Sequence, residues 1–372
     1  MLPLNPIKYL RFASRVIRYR NRVRQRSNQN LWREGQEVYR LLRLNELEPR
    51  EYYETYELFD PRLTWEDKKR FLSREQFARL DRALNPEDAV GVLNKLVFKI
   101  YAQHFDLPVA TMYGLFDQHV GYTFDGEELR TVADLERLLA KPQLQSFLFK
   151  PIGANKAAGI FLCSRRNGRL FVLGEGETTI AAVYQRLCGS HHSGWQHVND
   201  SWLVEERVCQ HPWFDRYCST YTHHYRIVTF LSSKGSIELV ATSMGIGLKD
   251  QHIHRAGPLA MSAGINDDGI LTAAVRSGTN GLEFFEEHPD TGARIAGEHP
   301  PGFHESVEIA LRAHSRLPHL RLLGWDIAPT EGQPIIFEGN HYWNWEKLQR
   351  CNRRGVVRGS LAEELPGIIG YD

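Results

Sequence analysis

LLGWDIAPTEGQPIIFEGNHYWN, residues 322–344, is the stretch of sequence that decides the fold. It is typical of two strands joined by a turn centred on Gly332, and side-chain alternation puts Asp326, Glu338 and Asn340 on one face. In that register Asp326 lies directly opposite Glu338, with Cβ atoms about 5 Å apart. The sequence therefore predicts three oxygen ligands that converge on one face of a β-ribbon.

Two facing carboxylates repel each other, and a hard cation between them relieves the repulsion. Mg²⁺ prefers oxygen ligands and leaves coordination positions for substrate phosphates. The opposite face of the ribbon is apolar, and we expect it to be buried through Leu323, Trp325, Ile327, Ile335 and Phe337. The alternative is an exposed hairpin whose acids face water. The bulky apolar residues of both strands favour the lining of a site instead.

The size and composition of the chain describe a globular protein of more than one lobe. Its 372 residues exceed one typical domain, so two or three lobes are expected. Hydrophobic residues make up 42% and charged residues 24%, which excludes a disordered or fibrous chain. The formal net charge of +1 offers no electrostatic basis for a nucleic-acid partner.

The one strong charge run is at the N-terminus, where residues 1–26 hold eight lysines and arginines and no acid. Interleaved apolar residues allow a basic amphipathic helix that contacts an anionic membrane surface. The alternative is a helix packed on the protein with its arginines in solvent. Because the sequence has neither a signal-peptide h-region nor a run of about 18 apolar residues, a cytoplasmic enzyme is expected.

The five cysteines form no CxxC pair, so reduced, buried thiols are expected rather than zinc ligands or a redox dithiol. The 16 histidines include no set at zinc-like spacing. Zinc is therefore not favoured.

The order of predicted elements points to an α+β protein. Residues 1–90 are predicted to be helical, with Thr64 as an N-cap. Later apolar stretches predict strands, including hairpins at Asn167–Gly168 and Lys234–Gly235. Helices do not alternate regularly with these strands, as a doubly wound sheet would require. Mixed or antiparallel sheets are expected.

A second chemical signal is Lys150, which ends an apolar strand and precedes the small-residue stretch IGANKAAGI, residues 152–160. A lysine fixed on a strand supplies a cation, and small residues let backbone N–H groups approach phosphate oxygens. Alone this pattern is weak, because a lysine before proline is usually a surface residue. Together with a magnesium-type ribbon it indicates nucleotide phosphates.

These features occur in a recognisable order. Lys95 in LNKLVFK is followed by Lys150 in FLFKPIGANKAAGI, by the LVEERV strand, by Asp326 and by EGN at residues 338–340. This order resembles the ATP-grasp superfamily. YRIVTF, GWDIAPTEGQPIIFEGN and the helical N-terminal region resemble, more narrowly, the sugar-transfer-associated ATP-grasp group related to alpha-L-glutamate ligases. The resemblance runs from about residue 40 to 350.

The resemblance implies a fold of two α+β lobes that clasp ATP, after a helical N-terminal region. The division it implies is 1–90 for that region, 91–205 for the first lobe with a phosphate lid, and 206–372 for the second lobe with the metal site.

Site residues follow from the same resemblance. It implies that Lys95 and Lys150 bind ATP phosphates and that Asp326, Glu338 and Asn340 hold one or two Mg²⁺ ions. The remaining nucleotide contacts that it implies are a flexible lid containing Gly153, Asn155, Lys156 and Gly159, and an adenine pocket lined by Glu205, Glu206 and Val208.

The implied reaction joins a carboxylate to an amine, on a sugar, amino acid or peptide in a biosynthetic pathway. The carboxylate attacks the γ-phosphate of ATP, and the amine captures the resulting acylphosphate. Positioning and charge neutralisation are the main demands of phosphoryl transfer, and lysines, metal and an arginine meet them. A small-molecule kinase and a non-catalytic nucleotide-binding scaffold remain alternatives.

Two departures from the family pattern stand out. Ala157 and Ala158 replace glycines that the lid usually carries. Many ligases of the superfamily have an arginine two positions before the metal-binding aspartate, where this chain has Gly324. Another cation must then serve the acylphosphate, and the candidates are Arg226, Arg255 and Arg276, with Arg226 preferred because it lies on a predicted strand with apolar neighbours.

Overall fold

The computed structural model describes residues 6–23, 30–85, 94–152, 159–189, 201–249, 261–278 and 281–369, without side chains for 6–9 and 369. Its α-helices are α1 (Pro6–Arg22), α2 (Leu31–Asn45), α3 (Trp65–Lys68), α4 (Arg74–Leu84), α5 (Lys95–His104), α6 (Val132–Leu139), α7 (Ile180–Gly189), α8 (Phe303–Ser315), α9 (Trp345–Asn352) and α10 (Gly359–Ile369). A π-helical turn, Glu51–Thr55, and a 3₁₀ helix, Pro212–Arg216, complete the helical set of the described ranges.

The strands form two sheets. They are β1 (Met112–Phe116), β2 (Tyr122–Thr123), β3 (Ser146–Pro151), β4 (Phe161–Arg166), β5 (Arg169–Val172), β6 (Gly176–Thr178), β7 (Trp202–Glu206), β8 (His224–Leu231), β9 (Ile237–Ile246), β10 (Met261–Ile265), β11 (Leu271–Gly278), β12 (Gly281–Phe285), β13 (Leu322–Ala328) and β14 (Ile335–Asn340).

The first sheet has the order β2-β1-β7-β3-β4-β5-β6 and the second β12-β11-β10-β9-β8-β13-β14. Neighbouring strands within each sheet pair antiparallel, for example β1 with β7 and β8 with β13. The α+β class predicted from the order of elements is confirmed, and the sheets are antiparallel rather than mixed.

Turn chemistry fixes the predicted hairpins. Asn167 and Gly168 both have positive φ, 52° and 78°, as a two-residue turn with the twist of its strands requires. Gly235 has φ 84° at the tip of the β8–β9 hairpin. The Thr64 N-cap is also present, because its side chain accepts a hydrogen bond from Asp67 N and the Asp67 side chain accepts one from Thr64 N.

The N-terminal helix α1 packs on the protein. Val16 of α1 and Val23, just after its end, are buried in an aromatic cluster with Tyr52 and Tyr53 of the π-helical turn. Acidic partners engage three of its arginines: Arg15 pairs with Glu48, Arg20 with Glu34 at 2.8 Å, and Arg22 with Glu54 at 2.8 Å. These contacts favour the packed-helix alternative.

The outward side of α1 carries Leu10 and Ile17, which are 68% and 47% exposed. Membrane contact through this side stays a prediction. No helix within the described ranges is both long enough and apolar enough to cross a bilayer.

All five cysteines are unpaired, as predicted, but only Cys163 and Cys351 are buried. Cys209 is exposed.

Two backbone hydrogen bonds hold the β13–β14 ribbon at the junction of the sheets. Ile336 N donates to Pro108 O at 2.7 Å, in the segment between α5 and β1. His211 N donates to Pro329 O at 2.9 Å, just beyond β7. The ribbon is therefore tied to both chain segments that enter and leave the first sheet.

Candidate functional site

The ribbon has the predicted carboxylate arrangement. Asp326 on β13 is the cross-strand partner of Glu338 on β14, and Gly324 is the partner of Asn340. Asn340 Nδ2 approaches Glu338 Oε1 at 3.5 Å. Two carboxylates and an amide oxygen thus share one face of the ribbon.

The apolar face differs from the prediction by one residue. Ile327 pairs with Ile336, and the register shifts between Asp326 and Ile327, so Phe337 is an extra residue in β14. Ile336 is fully buried, whereas Ile335 and Phe337 are only half-buried. Strict alternation predicted Ile335 and Phe337 as buried, and this was wrong because a β-bulge interrupts the alternation.

Arg226 is brought to the carboxylates by the sheet itself. β8 lies beside β13, and Arg226 is the cross-strand partner of Asp326. Its Nε lies 2.7 Å from Asp326 Oδ1, and its Nη2 donates to Oδ2 at 2.9 Å. This two-point contact fixes both side chains.

The space above Gly324 explains why this position carries no side chain. A Cβ at Gly324 would lie 2.6 Å from Trp343 Cβ and 3.3 Å from Arg226 Nη1. The Arg226 guanidinium, supplied from the neighbouring strand, therefore occupies the region into which an arginine at 324 would project. The departure from the family pattern is accompanied by a cation from β8.

Two predicted lysines lie on the Glu338 side of the ribbon. Lys150 is buried near the end of β3, and Lys95 Nζ donates to Ile152 O at 3.3 Å. Burial and the charge of Lys150 lower the pKa of Lys95. Burial tends to raise the pKa of Glu338, but Lys150, Arg226 and Lys95 outweigh it and hold that pKa below its ordinary value.

Asp326 shows the opposite electrostatic behaviour. Burial raises its pKa to about 6, against the attraction of Arg226 and with the help of the negative charge of Glu338. The two facing carboxylates therefore differ in acidity because the lysines lie nearer to Glu338.

Lys99 is a buried cation that the sequence reasoning missed. Its Nζ lies 3.5 Å from Glu205 Oε2, and both side chains are almost fully buried. Burial lowers the pKa of Lys99 despite the attraction of Glu205. The signal in the sequence was its spacing of four residues from Lys95, which puts both lysines on one side of α5.

The two predicted adenine-pocket glutamates have different environments. Glu205 faces Lys99 inside the protein, whereas Glu206 is exposed and its Oε2 accepts a hydrogen bond from Thr111 Oγ1 at 2.8 Å. Val208 is half-buried in the segment after β7. Alternation along β7 separates the glutamates to opposite sides of the sheet.

The other predicted residues are not brought to the carboxylates or lie outside the described residues. Arg276 is on β11, four strands from β13, and its Nη2 pairs with Glu283 at 2.6 Å. Gly159 has φ 77° at the end of the predicted lid. The residues outside the described ranges are Gly153, Asn155, Lys156, Ala157, Ala158 and Arg255.

Two further side chains adjoin the ribbon without having been predicted. His224 Nε2 lies 3.9 Å from Asp326 Oδ1, and burial lowers the pKa of His224 to about 3, so it is neutral. Lys347, on α9, interacts electrostatically with Arg226 and Asp326, and burial followed by Arg226 lowers its pKa to about 8. Neither residue has a spacing in the sequence that ties it to the ribbon.

The donor set fits a magnesium ion better than a softer metal. Asp326, Glu338 and Asn340 offer only oxygen ligands, which Mg²⁺ prefers. Asp326 Oδ1 is buried and has no well-aligned hydrogen-bond donor. Across the described part of the chain, no group of three or more His, Cys, Asp or Glu side chains could hold a metal ion by itself, so the Asn340 oxygen is needed as the third ligand.

Two antiparallel sheets with a carboxylate ribbon at their junction and lysines opposite it define an ATP-grasp fold. A family model, sugar-transfer associated ATP-grasp, matches residues 75–362. The chain belongs to this family. A comparison with curated proteins found no match.

Solved structures of similar fold include three ligases. D-alanyl-alanine synthetase A from Vibrio cholerae is 12% identical, with a TM-score of 0.43, and the match covers 77% of this chain and 68% of that one. Phosphoribosylamine–glycine ligase from Thermotoga maritima is 12% identical, with a TM-score of 0.42, and the match covers 79% of this chain and 56% of that one. L-amino acid ligase from Bacillus licheniformis is 10% identical, with a TM-score of 0.38, and the match covers 75% of this chain and 48% of that one. The chain spans about half the length of the last two ligases.

Proposed function

We propose that the protein is a Mg-ATP-dependent carboxylate–amine ligase that works through an acylphosphate and releases ADP and phosphate. The observation that carries the proposal is the charge order around the ribbon. Lys95 and Lys150 lie toward Glu338, and Arg226 lies on the far side of Asp326. This order suits a triphosphate on one side of the carboxylates and an acceptor on the other.

Asp326, Glu338 and Asn340 would hold one or two Mg²⁺ ions, since they offer oxygen ligands on one face. Bound Mg²⁺ would supply charge neutralisation at the phosphates. Lys95, on α5, and Lys150, on β3, would contact phosphate oxygens.

The nucleotide base would lie against β7. Glu205 is held by Lys99 in the interior, so its second oxygen, Oε1, is available for the exocyclic amine of adenine. Glu206 and Val208 would complete the pocket, and the segment from Gly153 to Gly159 would cover the phosphates.

Arg226 would stabilise the charge that develops as the substrate carboxylate attacks the γ-phosphate. Its guanidinium is positioned by Asp326 at two points, so little reorganisation is needed when the charge appears. The amine would then attack the acyl carbon, release phosphate and form the amide.

The division of the chain at 1–90, 91–205 and 206–372 is part of the proposal. Contacts within β1–β7 and within β8–β14 form separate sheets, which supports two lobes.

The test measures ADP release by purified Glu338→Gln protein with Mg-ATP, candidate amines and a panel of carboxylates. We expect turnover to fall about 10²–10³-fold, because one metal-binding charge is lost while the shape is kept. Glu177→Gln, on exposed β6, is the matched control. Undiminished turnover in folded Glu338→Gln would refute the site.

The product separates the ligase from its alternatives. An amide with ADP and phosphate supports the ligase, a stable phosphorylated acceptor supports a kinase, and Mg-ATP binding without turnover supports a scaffold.

A further inference from the structure

The segment from Trp343 to Asn352 crosses the polar face of the second sheet. At one end, Trp343 lies directly over Gly324 on β13. At the other end, Asn352 lies over Gly264 on β10, and its Nδ2 donates to Thr242 O at 2.8 Å. Since β8 and β9 lie between β13 and β10, the segment passes above Arg226 on its way.

Lys347 is the cation in the middle of this crossing. Asn344 caps α9 by accepting a hydrogen bond from Lys347 N at 3.0 Å, which fixes where the side chain starts. The Lys347 ammonium interacts electrostatically with Arg226, Cys351 and Asp326, and burial followed by Arg226 lowers its pKa to about 8. Since α9 packs on β9, β10 and β11, Lys347 lies toward the β8 side of Asp326, whereas Lys95 and Lys150 act on Glu338.

The charges on this side do not balance. Asp326 is already engaged at two points by Arg226. The acid next to Lys347 on α9, Glu346, pairs with Arg350 at 3.2 Å. Among the described residues no acidic side chain forms a salt bridge with Lys347. Lys347 thus adds a second partly desolvated cation beside Arg226 without a salt bridge of its own, an arrangement that an anionic ligand would complete.

We propose that Lys347 and Arg226 together form an oxyanion subsite that binds the carboxylate to be activated. This inference rests on the proposed ligase function. The attacking carboxylate oxygen forms a bond to the γ-phosphorus, and the bond from that phosphorus to the β-γ bridging oxygen breaks, its electron pair leaving on ADP. Lys347 holds the carboxylate oxygen that does not attack, and Arg226 contacts the oxygens of the transferred phosphoryl group.

The subsite can be tested on the full chain by calorimetry with Mg-ADP present, using sodium acetate and orthophosphate as separate probes. Acetate stands for the substrate carboxylate, and orthophosphate for the transferred phosphoryl group. We expect Lys347→Met to weaken acetate binding about tenfold, as loss of one charge-assisted contact predicts. Lys347→Arg should recover most of the affinity. Lys234→Met, at an exposed hairpin tip, is the matched control.

The outcomes separate this inference from the proposed function. Weaker acetate binding in Lys347→Met assigns the subsite to the carboxylate, and an effect on orthophosphate alone assigns it to the phosphoryl group instead and overturns the carboxylate role. If Mg-ADP binds normally to every variant and neither probe depends on Lys347, the subsite is refuted while the ligase proposal stands. If the wild-type protein does not bind Mg-ADP, both fail.

Discussion

Arg226 and Asp326 are 100 residues apart in sequence, yet they are direct neighbours across β8 and β13 and meet at two points, 2.7 and 2.9 Å. The antiparallel register brings them together, so the contact needs no loop to be ordered. A cation and a candidate metal ligand are thereby held on rigid strands, which is how a preorganised site is built.

The first prediction concerns this pair. Arg226→Lys keeps the charge but loses the fork that contacts both carboxylate oxygens. We expect ADP release with a productive acceptor to fall about 10²-fold. Arg276→Lys is the control, since Arg276 pairs with Glu283 four strands away. Equal losses in the two folded variants would contradict a specific role for Arg226.

The second prediction concerns the buried pair of Lys99 and Glu205. Lys99→Met leaves Glu205 as an unpaired charge in the interior, so urea denaturation should show a loss of about 3–5 kcal/mol in the free energy of unfolding. Adding Glu205→Gln removes that charge, and the double variant should recover most of the loss. Additive losses in the double-mutant cycle would argue against coupling.

The third prediction uses the crowded space above Gly324. Gly324→Ala puts a Cβ 2.6 Å from Trp343 Cβ, so Trp343 and Arg226 must shift. We expect a destabilisation of about 1–3 kcal/mol together with reduced turnover. Gly332→Ala, where the nearest atom is 3.8 Å away, should leave both unchanged. A normal melting temperature for Gly324→Ala would show that the space is larger than the structure indicates.

The fourth prediction concerns pH and a buried chain of hydrogen bonds beneath the ribbon. Trp325 Nε1 donates to Thr229 Oγ1 at 2.8 Å, and Thr229 Oγ1 lies 2.7 Å from His314 Nδ1. His314 Nε2 lies 2.8 Å from Leu320 O, so it carries the proton and Nδ1 accepts one from Thr229. Burial lowers the pKa of His314 to about 4.

Because the folded pKa of His314 is below the unfolded value of about 6.5, the unfolded chain binds the proton more tightly between these values. Stability is thus lost as pH falls from about 6.5 toward 4, and from pH 7 to pH 5 this residue contributes a loss of about 2 kcal/mol. In His314→Gln this pH-dependent loss should be absent when the free energies of unfolding from urea denaturation at pH 7 and pH 5 are compared. Exposed His319→Gln should keep the wild-type pH dependence.

The sequence was informative where the pattern is local. Alternation in β13 and β14 was enough to predict Asp326 opposite Glu338, and Asn167–Gly168 was enough for its hairpin, because neighbours in the chain determine both. Lys99 could have been found from its helical spacing to Lys95. The pairing of Lys99 with Glu205 could not have been found in this way, since the contact joins a helix to a strand that lies about 100 residues further along the chain.

The remaining features depend on tertiary contacts. No spacing links Arg226 to Asp326 or Lys347 to either, because the order of strands in the second sheet and the path of α9 across it decide those contacts. The bulge at Phe337 could not be predicted from the sequence either, since its flanking residues are as apolar as those of a regular strand.

The extra residue at Phe337 lets β14 bury Ile336 in the core and still present Glu338 on the polar face, which a regular strand could not do because residues 336 and 338 would share one face. Upstream of it, Ile336 meets Ile327 in the core, and downstream of it Glu338 meets Asp326 on the polar face. Deleting the single residue at 337 would force a choice between filling the interior and assembling the ligands, because one register could no longer satisfy both contacts.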